Sequence, residues 1–220
     1  MPDVNLITLT DPRAPAAEAY RTLRTNLMFY SVDHPVSTLV ITAPVAGANS
    51  SIALANLAVT LAQGGHPTII ADCDLRKPSQ HEIWNLGNEQ GLTDMLLDDA
   101  VLDNPPLQGT AIDDLHVLTS GPLPPNAADL VGSNRMDRVL SALRERADYV
   151  LCNVPPVLAV TDAALLGLKT DGVLLVLRAG TSRRDHAARA KETLERIQVP
   201  ILGTVLLNAA RESAIKDYYS

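Results

Sequence analysis

Short apolar runs alternate with longer segments of helical period along most of this chain. The apolar runs predict strands at Leu39–Ala43, Thr68–Ala71, Leu115–Thr119, Tyr149–Asn153, Val173–Arg178 and Ile201–Leu207, and a weaker pattern marks Asn5–Leu9. The helical patterns predict helices at Ala16–Tyr30, Ile52–Gln63, Ala127–Arg146, Ala163–Leu168 and Arg183–Ile197. Strands that are apolar along their whole length are typical of a parallel sheet covered on both faces.

This alternation predicts one α/β domain over residues 1–220. We expect a doubly wound, mostly parallel sheet of six to seven strands with helices on both faces. Ligands of such sheets bind at the carboxyl ends of the strands, so polar residues at those ends are the first candidates for function. The segment Asp98–Asp114 is rich in Asp, Pro and Asn and is predicted to be a surface loop.

Composition excludes several classes of protein. The net charge of −7 and the aromatic content of 3% disfavour a nucleic-acid-binding surface, which needs a basic stripe and stacking rings. No apolar run reaches the roughly 18 residues of a membrane span and no signal peptide opens the chain, so we expect a cytoplasmic protein. The two cysteines, Cys73 and Cys152, stand at the ends of predicted strands and suit a reduced core.

Residues 39–63 have the layout of a phosphate-binding loop, with a short strand, a turn and an apolar helix. In a working loop, backbone N–H groups hold the phosphates, a lysine reaches the β and γ oxygens, and a Ser or Thr hydroxyl binds Mg²⁺. Gly47 keeps the first glycine and Ser51 keeps the hydroxyl, but Asn49 replaces the second glycine and Ser50 replaces the lysine. Because asparagine tolerates a left-handed backbone, we expect the loop to keep its shape at Asn49.

Polar residues also end two other predicted strands. Asp72 and Asp74 could hold Mg²⁺ and orient or deprotonate an attacking hydroxyl, or could simply be a solvated strand end with a turn at Pro78. The other strand ends at Asn153, where a phosphoryl-transfer enzyme of this kind has an aspartate in the metal shell. An asparagine there can accept a hydrogen bond from metal-bound water, but without a negative charge it attracts Mg²⁺ less.

Further segments make the pattern specific, and they include Glu18, Arg21 and Arg24 at three-residue spacing, Asp72–Pro78, Gly121–Leu130, Pro155–Asp162, Arg178–Thr181 and Gly203–Asn208. Together with the loop they resemble the cytoplasmic bacterial tyrosine kinase domain (BY-kinase) of capsule and exopolysaccharide biosynthesis. The resemblance implies a P-loop NTPase-like fold with Mg-ATP or Mg-ADP as cofactor. It implies Asp72 and Asp74 as catalytic carboxylates and Ser51 with Asp72 as metal-binding residues. It assigns the nucleotide to Gly47, Asn49, Ser50, Ser51, Ile52, Asn153 and Asn208.

The departures from the family pattern lie at this site and in the tail, where the family's tyrosine-rich sequence is reduced to Tyr218 and Tyr219. The family loop reads Gly-Glu-Gly-Lys-Ser-Thr where this chain has residues 47–52, and the family's Walker B aspartate is Asn153 here. One cation and one anion are absent together, so we interpret the chain as a pseudokinase with vestigial carboxylates and weak or absent nucleotide binding. One alternative is an active ATP-dependent tyrosine autokinase with a divergent loop. The other is a ParA/MinD-type ATPase, which is disfavoured because that group also needs the loop lysine.

The resemblance also implies partners. One implied partner is a membrane polysaccharide co-polymerase or activator protein, which would recruit this chain to the inner face of the membrane. A second possible partner is an active BY-kinase paralogue, with which the chain would co-assemble. Glu18, Arg21 and Arg24 would form the oligomerisation side of the helix at about 16–30, which meets the neighbour's nucleotide-side surface in a homo-oligomeric ring. The alternative is a solvated helix face with an internal Glu18–Arg21 pair. The short tail 217–220 keeps Tyr218 and Tyr219, which are predicted phospho-acceptors.

Overall fold

A computed structural model describes residues 5–210 of the chain. Within this range the strands are β1 (Thr38–Thr42), β2 (Thr68–Asp72), β3 (Gln108–Gly109), β4 (Leu115–Leu118), β5 (Tyr149–Asn153), β6 (Gly172–Arg178) and β7 (Ile201–Leu207). The helices are α1 (Ile7–Thr10), α2 (Pro15–Asp33), α3 (Ser50–Gln63), α4 (Gln80–Trp84), α5 (Leu92–Leu97), α6 (Asp99–Asp103), α7 (Ala127–Gly132), α8 (Asn134–Arg144), α9 (Asp162–Gly167) and α10 (Arg184–Arg196).

All seven strands belong to one sheet, in the order β3-β4-β2-β5-β1-β6-β7. Every neighbouring pair is parallel except the short β3–β4 pair at one edge. β1, β2 and β5 lie side by side in the centre and are buried along their whole length, as the continuous apolar runs predict. The carboxyl ends of these three strands therefore meet at the middle of one sheet edge, where a doubly wound fold binds its ligand.

Each face of the sheet has its own apolar core. Alternate residues of a strand point to opposite faces, so Val40 packs in the cluster under α5, α8, α9 and α10, while Leu39 and Ile41 pack in the cluster under α2, α3 and α4. This arrangement confirms the predicted doubly wound α/β architecture. Among residues 5–210, none of the helices is both long and apolar enough to cross a membrane.

Three local predictions were wrong. Asn5–Leu9 is not a strand, because residues 7–10 form α1, in which the Thr8 N–H and hydroxyl donate to the buried Asn56 Oδ1 on α3 at 3.1 and 2.9 Å. The predicted helix 127–146 is two helices, because Ser133 takes an extended backbone between α7 and α8. The predicted loop Asp98–Asp114 contains α6 and β3.

Candidate functional site

The phosphate-binding loop has its expected shape despite the substitutions. Gly47 has φ +95° and Asn49 adopts the left-handed conformation at φ 59°, ψ 39°, which confirms the prediction for Asn49. The first backbone bond of α3 runs from the Ala53 N–H to the Asn49 carbonyl at 3.1 Å. The N–H groups of residues 50–52 therefore have no acceptor within the described part of the chain, and they face outward from a helix N-terminus with its partial positive charge.

Ser50 takes the first position of α3, where the family has its lysine. A seryl hydroxyl is too short to reach β or γ phosphate oxygens and carries no charge, so the loop offers only backbone dipoles to an anion. Ser51 follows in the same turn, and its carbonyl accepts a hydrogen bond from Gln80 Nε2 at 3.2 Å. This contact ties the start of α3 to α4, and Gln80 in turn accepts a bond from Trp84 Nε1 at 3.2 Å.

Asp72 is fully buried and its carboxylate is surrounded by N–H donors. Oδ2 accepts from the backbone N–H groups of Ser79 and Gln80, both at 2.8 Å. Oδ1 accepts from Asn153 Nδ2 at 2.8 Å and, at the longer distance of 3.4 Å, from the Asp74 N–H. Burial raises the pKa of Asp72, while the hydrogen bonds from these donors act in the opposite direction.

Asn153 lies at the end of β5, paired with Ile41 of β1 on one side and with Asp72 of β2 on the other. Its Nδ2 is spent on Asp72, whereas its Oδ1 is buried and has no hydrogen-bond partner among the described residues. The Nδ2 of Asn153 is thus a direct partner of the neighbouring carboxylate, a contact that the sequence did not predict. That the Oδ1 accepts a hydrogen bond from metal-bound water stays a prediction.

The oxygen atoms at the site that could bind a cation carry little negative charge. Of the three metal-shell positions, Asp72 already accepts hydrogen bonds on both oxygens, Asn153 offers a neutral carbonyl, and Ser51 offers a neutral hydroxyl. Mg²⁺ is normally held through one or two carboxylates and its own waters. Asp74 is the remaining carboxylate, and its Oδ1 accepts from the backbone N–H groups of Arg76 and Lys77 at 3.2 and 2.8 Å. Burial raises the pKa of Asp74. The described donor set is therefore two carboxylates that already accept hydrogen bonds, together with two neutral oxygens.

One ion pair at the site was not predicted from the sequence. Arg76 Nε and Nη2 donate to the two carboxylate oxygens of Asp162 at 3.0 and 3.2 Å. The Asp162 side chain is fully buried, whereas the Arg76 side chain is 42% exposed. The pair joins the loop after β2 to the start of α9. Residues separated by 86 positions leave no periodic signal, so only the family-like segments around each of them marked the region.

Glu18, Arg21 and Arg24 of α2 differ in their hydrogen-bond partners. Arg21 donates to Glu18 Oε2 and to the Pro12 carbonyl, both at 2.7 Å, so the internal pair of the alternative interpretation is present. Arg24 turns toward α3 and donates through Nη1 to the Thr60 carbonyl at 2.7 Å. Arg24 is therefore hydrogen-bonded within the chain, and its role in oligomerisation with Glu18 and Arg21 stays a prediction.

The last candidates lie at the end of β7. Asn208 follows the strand with a left-handed backbone, φ 54°, and is exposed, and in this fold it lies at the carboxyl edge of the sheet. Tyr218 and Tyr219 fall outside the described residues. The two free cysteines, Cys73 and Cys152, are fully buried beside Asp72 and Asn153 in sequence, as predicted for core positions.

Comparison with known proteins identifies relatives along nearly the whole chain. The tyrosine-protein kinase YwqD of Bacillus subtilis is 39% identical over 214 residues, which cover 97% of this chain and 90% of that protein. The putative tyrosine-protein kinase CapB of Staphylococcus aureus is 32% identical over 208 residues, covering 94% and 91%. No protein-family model matches the chain.

Solved structures agree with these relatives. The chimerical protein CapA2B2 superposes with a TM-score of 0.88 at 38% identity, covering 94% of this chain and 90% of that one. The kinase domain of the Escherichia coli tyrosine kinase ETK gives 0.87 at 29%, covering 95% and 82%. The septum site-determining protein MinD of Pyrococcus horikoshii, solved with Mg-ADP, gives 0.66 at 20%, covering 80% and 72%, a likeness of fold alone. The chain belongs to the bacterial tyrosine kinase (BY-kinase) family.

Proposed function

We propose that this chain is a pseudokinase of the BY-kinase family, and that it binds MgATP weakly or not at all. The observation that carries the proposal is the hydrogen bond from Asn153 Nδ2 to Asp72 Oδ1 at 2.8 Å. In that bond, a neutral amide occupies an oxygen of the carboxylate that the family resemblance assigns to the metal. In addition, the phosphate loop lacks a side-chain cation, because Ser50 stands where the family has its lysine.

The expected loss of rate is large. Removing one preorganised group that stabilises transition-state charge typically costs a factor on the order of 10²–10³. Two such losses, if independent, would take a kinase of about 1–100 turnovers per second to about 10⁻² per second or below. The affinity for MgATP should fall more than that for MgADP, because the γ-phosphate adds negative charge that no lysine answers.

The role we propose is regulatory. The central sheet is complete, so the fold keeps the surfaces with which it can bind other proteins. The loss of two charges at the site acts against catalysis. Its place in the BY-kinase family supports a role in capsule or exopolysaccharide biosynthesis, as a scaffold partner of a membrane polysaccharide co-polymerase. The chain would then be cytoplasmic, recruited to the inner face of the membrane by that partner. It would self-associate or join an active BY-kinase paralogue, and Tyr218 and Tyr219 would accept phosphate from that paralogue.

A second candidate is an active tyrosine autokinase with a rearranged site. The observation in its favour is the preserved loop, in which Asn49 keeps the left-handed turn and residues 50–52 keep free N–H groups. Asp72 and Asp74 are also retained. A ParA/MinD-type ATPase is supported by fold likeness only, at 20% identity, and that group requires the lysine that Ser50 replaces.

Two measurements on the full chain separate these candidates. Calorimetric titration with MgATP and MgADP should show weak binding or none, and incubation with MgATP alone should leave the tail unphosphorylated. The triple variant Asn49→Gly, Ser50→Lys, Asn153→Asp is the matched control, and it should regain nucleotide binding because the backbone of the loop is intact. Micromolar MgATP affinity, or phosphate on Tyr218 or Tyr219 without added kinase, would establish the autokinase instead. Phosphate that is added only by an active relative supports the acceptor role.

A further inference from the structure

The last strand, β7, is an open edge of the sheet. It pairs with β6 on one side, and no other described strand lies beside it. Its seven residues include no charged residue and no proline, and none of them is buried. Proteins usually protect a sheet edge with charges, prolines or a very short strand, and β3 at the opposite edge has only two residues. The segment Gly203–Leu207 has none of these protections.

The backbone of this segment alternates between β6 and the open side. The Ala179 N–H donates to the Leu207 carbonyl at 2.9 Å. In a parallel ladder, one residue directs its N–H and its carbonyl to the same neighbour, and the next residue directs both to the other side. Leu207 and Val205 therefore bond to β6. Thr204 and Leu206 direct their backbone groups away from the sheet, where the described part of the chain supplies no strand.

An exposed apolar side chain lies beside these backbone groups. Leu206 is 55% exposed and stands in register with the half-buried Leu177 of β6. Alternation along β6 puts Leu177 on the same face as Leu175, which belongs to the core under α5, α8, α9 and α10. The helical cover thus ends before Leu206, and the edge offers an apolar contact together with its backbone groups.

The same end of the sheet carries positive charge. From residue 178 to residue 189 the chain has four arginines and one carboxylate, Asp185, although its overall net charge is −7. Arg178 is the last residue of β6, and Arg183 and Arg184 are exposed at the start of α10. Anionic groups are therefore attracted to the end of β7 that lies beside these arginines.

We propose that the Gly203–Leu207 edge of β7 binds an extended, acidic segment of a partner protein, which adds a strand to the sheet. The segment bonds to the outward backbone groups of Thr204 and Leu206, as in other cases of strand addition. Its apolar side chains pack on Leu206, and its carboxylates face the arginines that follow β6. The contact uses the sheet edge rather than the phosphate loop, so it goes beyond the proposed function.

Backbone pairing and charge select this occupant over others. Nucleic acid and anionic lipid could use the arginines, but neither pairs with a strand backbone or packs on Leu206. Two copies of the chain would each bring a net charge of −7 to the contact, whereas a short segment brings few charges. A peptide that is extended, partly apolar and acidic uses all three features of the edge.

The probe is a fluorescein-labelled peptide, Glu-Thr-Val-Thr-Val-Thr-Glu, and fluorescence anisotropy with the full chain measures its binding. It alternates apolar and polar side chains and has an acid at each end, so it can pair in either direction. The same peptide with lysine in place of both glutamates is the charge control. It should bind about tenfold more weakly at low salt, and added salt should narrow the difference.

Two proline variants test the backbone pairing. Thr204→Pro removes an outward N–H and should weaken binding of the acidic peptide by about tenfold or more. Urea unfolding of this variant should stay nearly unchanged, because proline is tolerated on an edge strand where its missing N–H would face solvent. Val205→Pro removes an N–H that bonds to β6, so it should lower the stability of the fold instead.

A third variant tests the apolar contact without touching the backbone. Leu206→Thr should weaken binding by about tenfold, because it removes apolar surface that the peptide covers. The matched control is Leu123→Thr, at a leucine that is 57% exposed elsewhere, and it should bind like the unmodified protein. If Thr204→Pro proves unstable, Leu206→Thr and its control decide the question.

Three results overturn the proposal: no saturable binding of the acidic peptide, no preference for it over the lysine peptide, or equal binding by the stable edge variants. Dimers in sedimentation that Leu206→Thr dissociates would assign the edge to a second copy and would also overturn it. Nucleotide enters none of these readouts, so each result leaves the pseudokinase assignment standing. Micromolar MgATP affinity would refute that assignment alone.

Discussion

Asn153 donates a hydrogen bond through Nδ2 to Asp72 Oδ1 at 2.8 Å, between the ends of two adjacent buried strands. In a metal-dependent relative with an aspartate at position 153, two buried carboxylates would stand at this distance, and their repulsion would have to be relieved by Mg²⁺ or by a proton. The amide removes that requirement. Asp72 also accepts hydrogen bonds from the backbone N–H groups of Ser79 and Gln80. Under the proposed function, Asp72 is a structural residue rather than a metal-shell residue.

Restoring the aspartate should make folding depend on the metal. We expect Asn153→Asp to lower the free energy of unfolding at pH 7 by roughly 2–4 kcal/mol in the presence of EDTA, because it buries a second charge against Asp72. Urea unfolding measures this loss. The matched control is Asn85→Asp, which makes the same change at an exposed helix end.

The pH dependence of the Asn153→Asp variant has a definite sign. Repulsion raises the folded-state pKa of the carboxylate pair above the unfolded value of about 3.9, so the penalty is present at pH 7 and shrinks as pH falls through the raised pKa. Acidification toward pH 5 should therefore narrow the gap to the unmodified protein. A variant as stable as the unmodified protein in EDTA at pH 7 would contradict this account of the pair.

The Arg76–Asp162 pair should be a main support of the loop after β2. Arg76→Ala leaves the fully buried Asp162 without its bidentate partner and should lower the free energy of unfolding by about 2–4 kcal/mol. This loss is smaller than that of a fully buried pair, because the Arg76 side chain is 42% exposed. Adding Asp162→Asn should recover part of the loss, since the buried charge is then gone. Arg183→Ala is the control, because its partner Asp185 is exposed and its loss should not be measurable by thermal melting. Equal melting temperatures for the two arginine variants would contradict the expected role.

The fold was largely predictable because its central strands are buried on both faces. A strand such as β5 is apolar along its length whatever its neighbours, and its bounds were predicted correctly. The wrong predictions concern segments whose secondary structure depends on tertiary contacts. The apolar residues 5–9 fit a strand or a helix, and the bond of Thr8 to Asn56, 48 positions away, accompanies the helix. Single residues in extended conformation, such as Ser133, likewise leave no mark in helical periodicity.

The positions of the candidate residues in the fold were predictable, but their contacts were not. Strand ends and loop glycines are local features, so residues such as Asn49 and Asp72 could be found and the left-handed turn at Asn49 could be expected. The direction of the Asn153 amide and the pairing of Arg76 depend on packing between distant elements. Their geometry therefore became visible only in the folded chain.

Asp171 lies at the opposite end of the sheet, and we expect it to make the stability of the fold decrease at acid pH. Its Oδ2 accepts from the backbone N–H and hydroxyl groups of Ser37 and Thr38 at 2.7–3.2 Å. Burial alone would raise the pKa of Asp171, but these hydrogen bonds outweigh burial and the pKa is lowered. A lowered folded-state pKa stabilises the fold above the unfolded value of about 3.9, and that stability is lost as pH falls through the folded pKa.

Asp171→Asn should therefore cost roughly 1–2 kcal/mol at pH 7, because an amide is a weaker acceptor than a carboxylate. The difference between the two proteins should shrink below about pH 4, where the unmodified carboxylate also becomes protonated. Urea titrations at a series of pH values measure it, with the exposed Asp113→Asn as control. A difference that stays constant from about pH 7 to about pH 3 would show that charge plays no part.

Arg24 should stabilise the monomer rather than the oligomer. Its Nη1 donates to the Thr60 carbonyl in the last turn of α3 at 2.7 Å, where a cation also meets the negative end of the helix dipole. Arg24→Ala should lower the free energy of unfolding by about 1 kcal/mol, because that carbonyl loses its charged donor beside the buried face of α2.

The matched control for this prediction is Arg21→Ala on the same helix. Among the described residues, the Arg21 guanidinium donates hydrogen bonds only to Glu18 and the Pro12 carbonyl. We expect Arg21→Ala to leave chemical unfolding nearly unchanged, since partly exposed pairs of this kind contribute little. The same variant should weaken self-association in sedimentation, whereas Arg24→Ala should not. If Arg24→Ala instead dissolved the oligomer at unchanged stability, Arg24 would be an interface residue and its bond to Thr60 would be a feature of the isolated chain only.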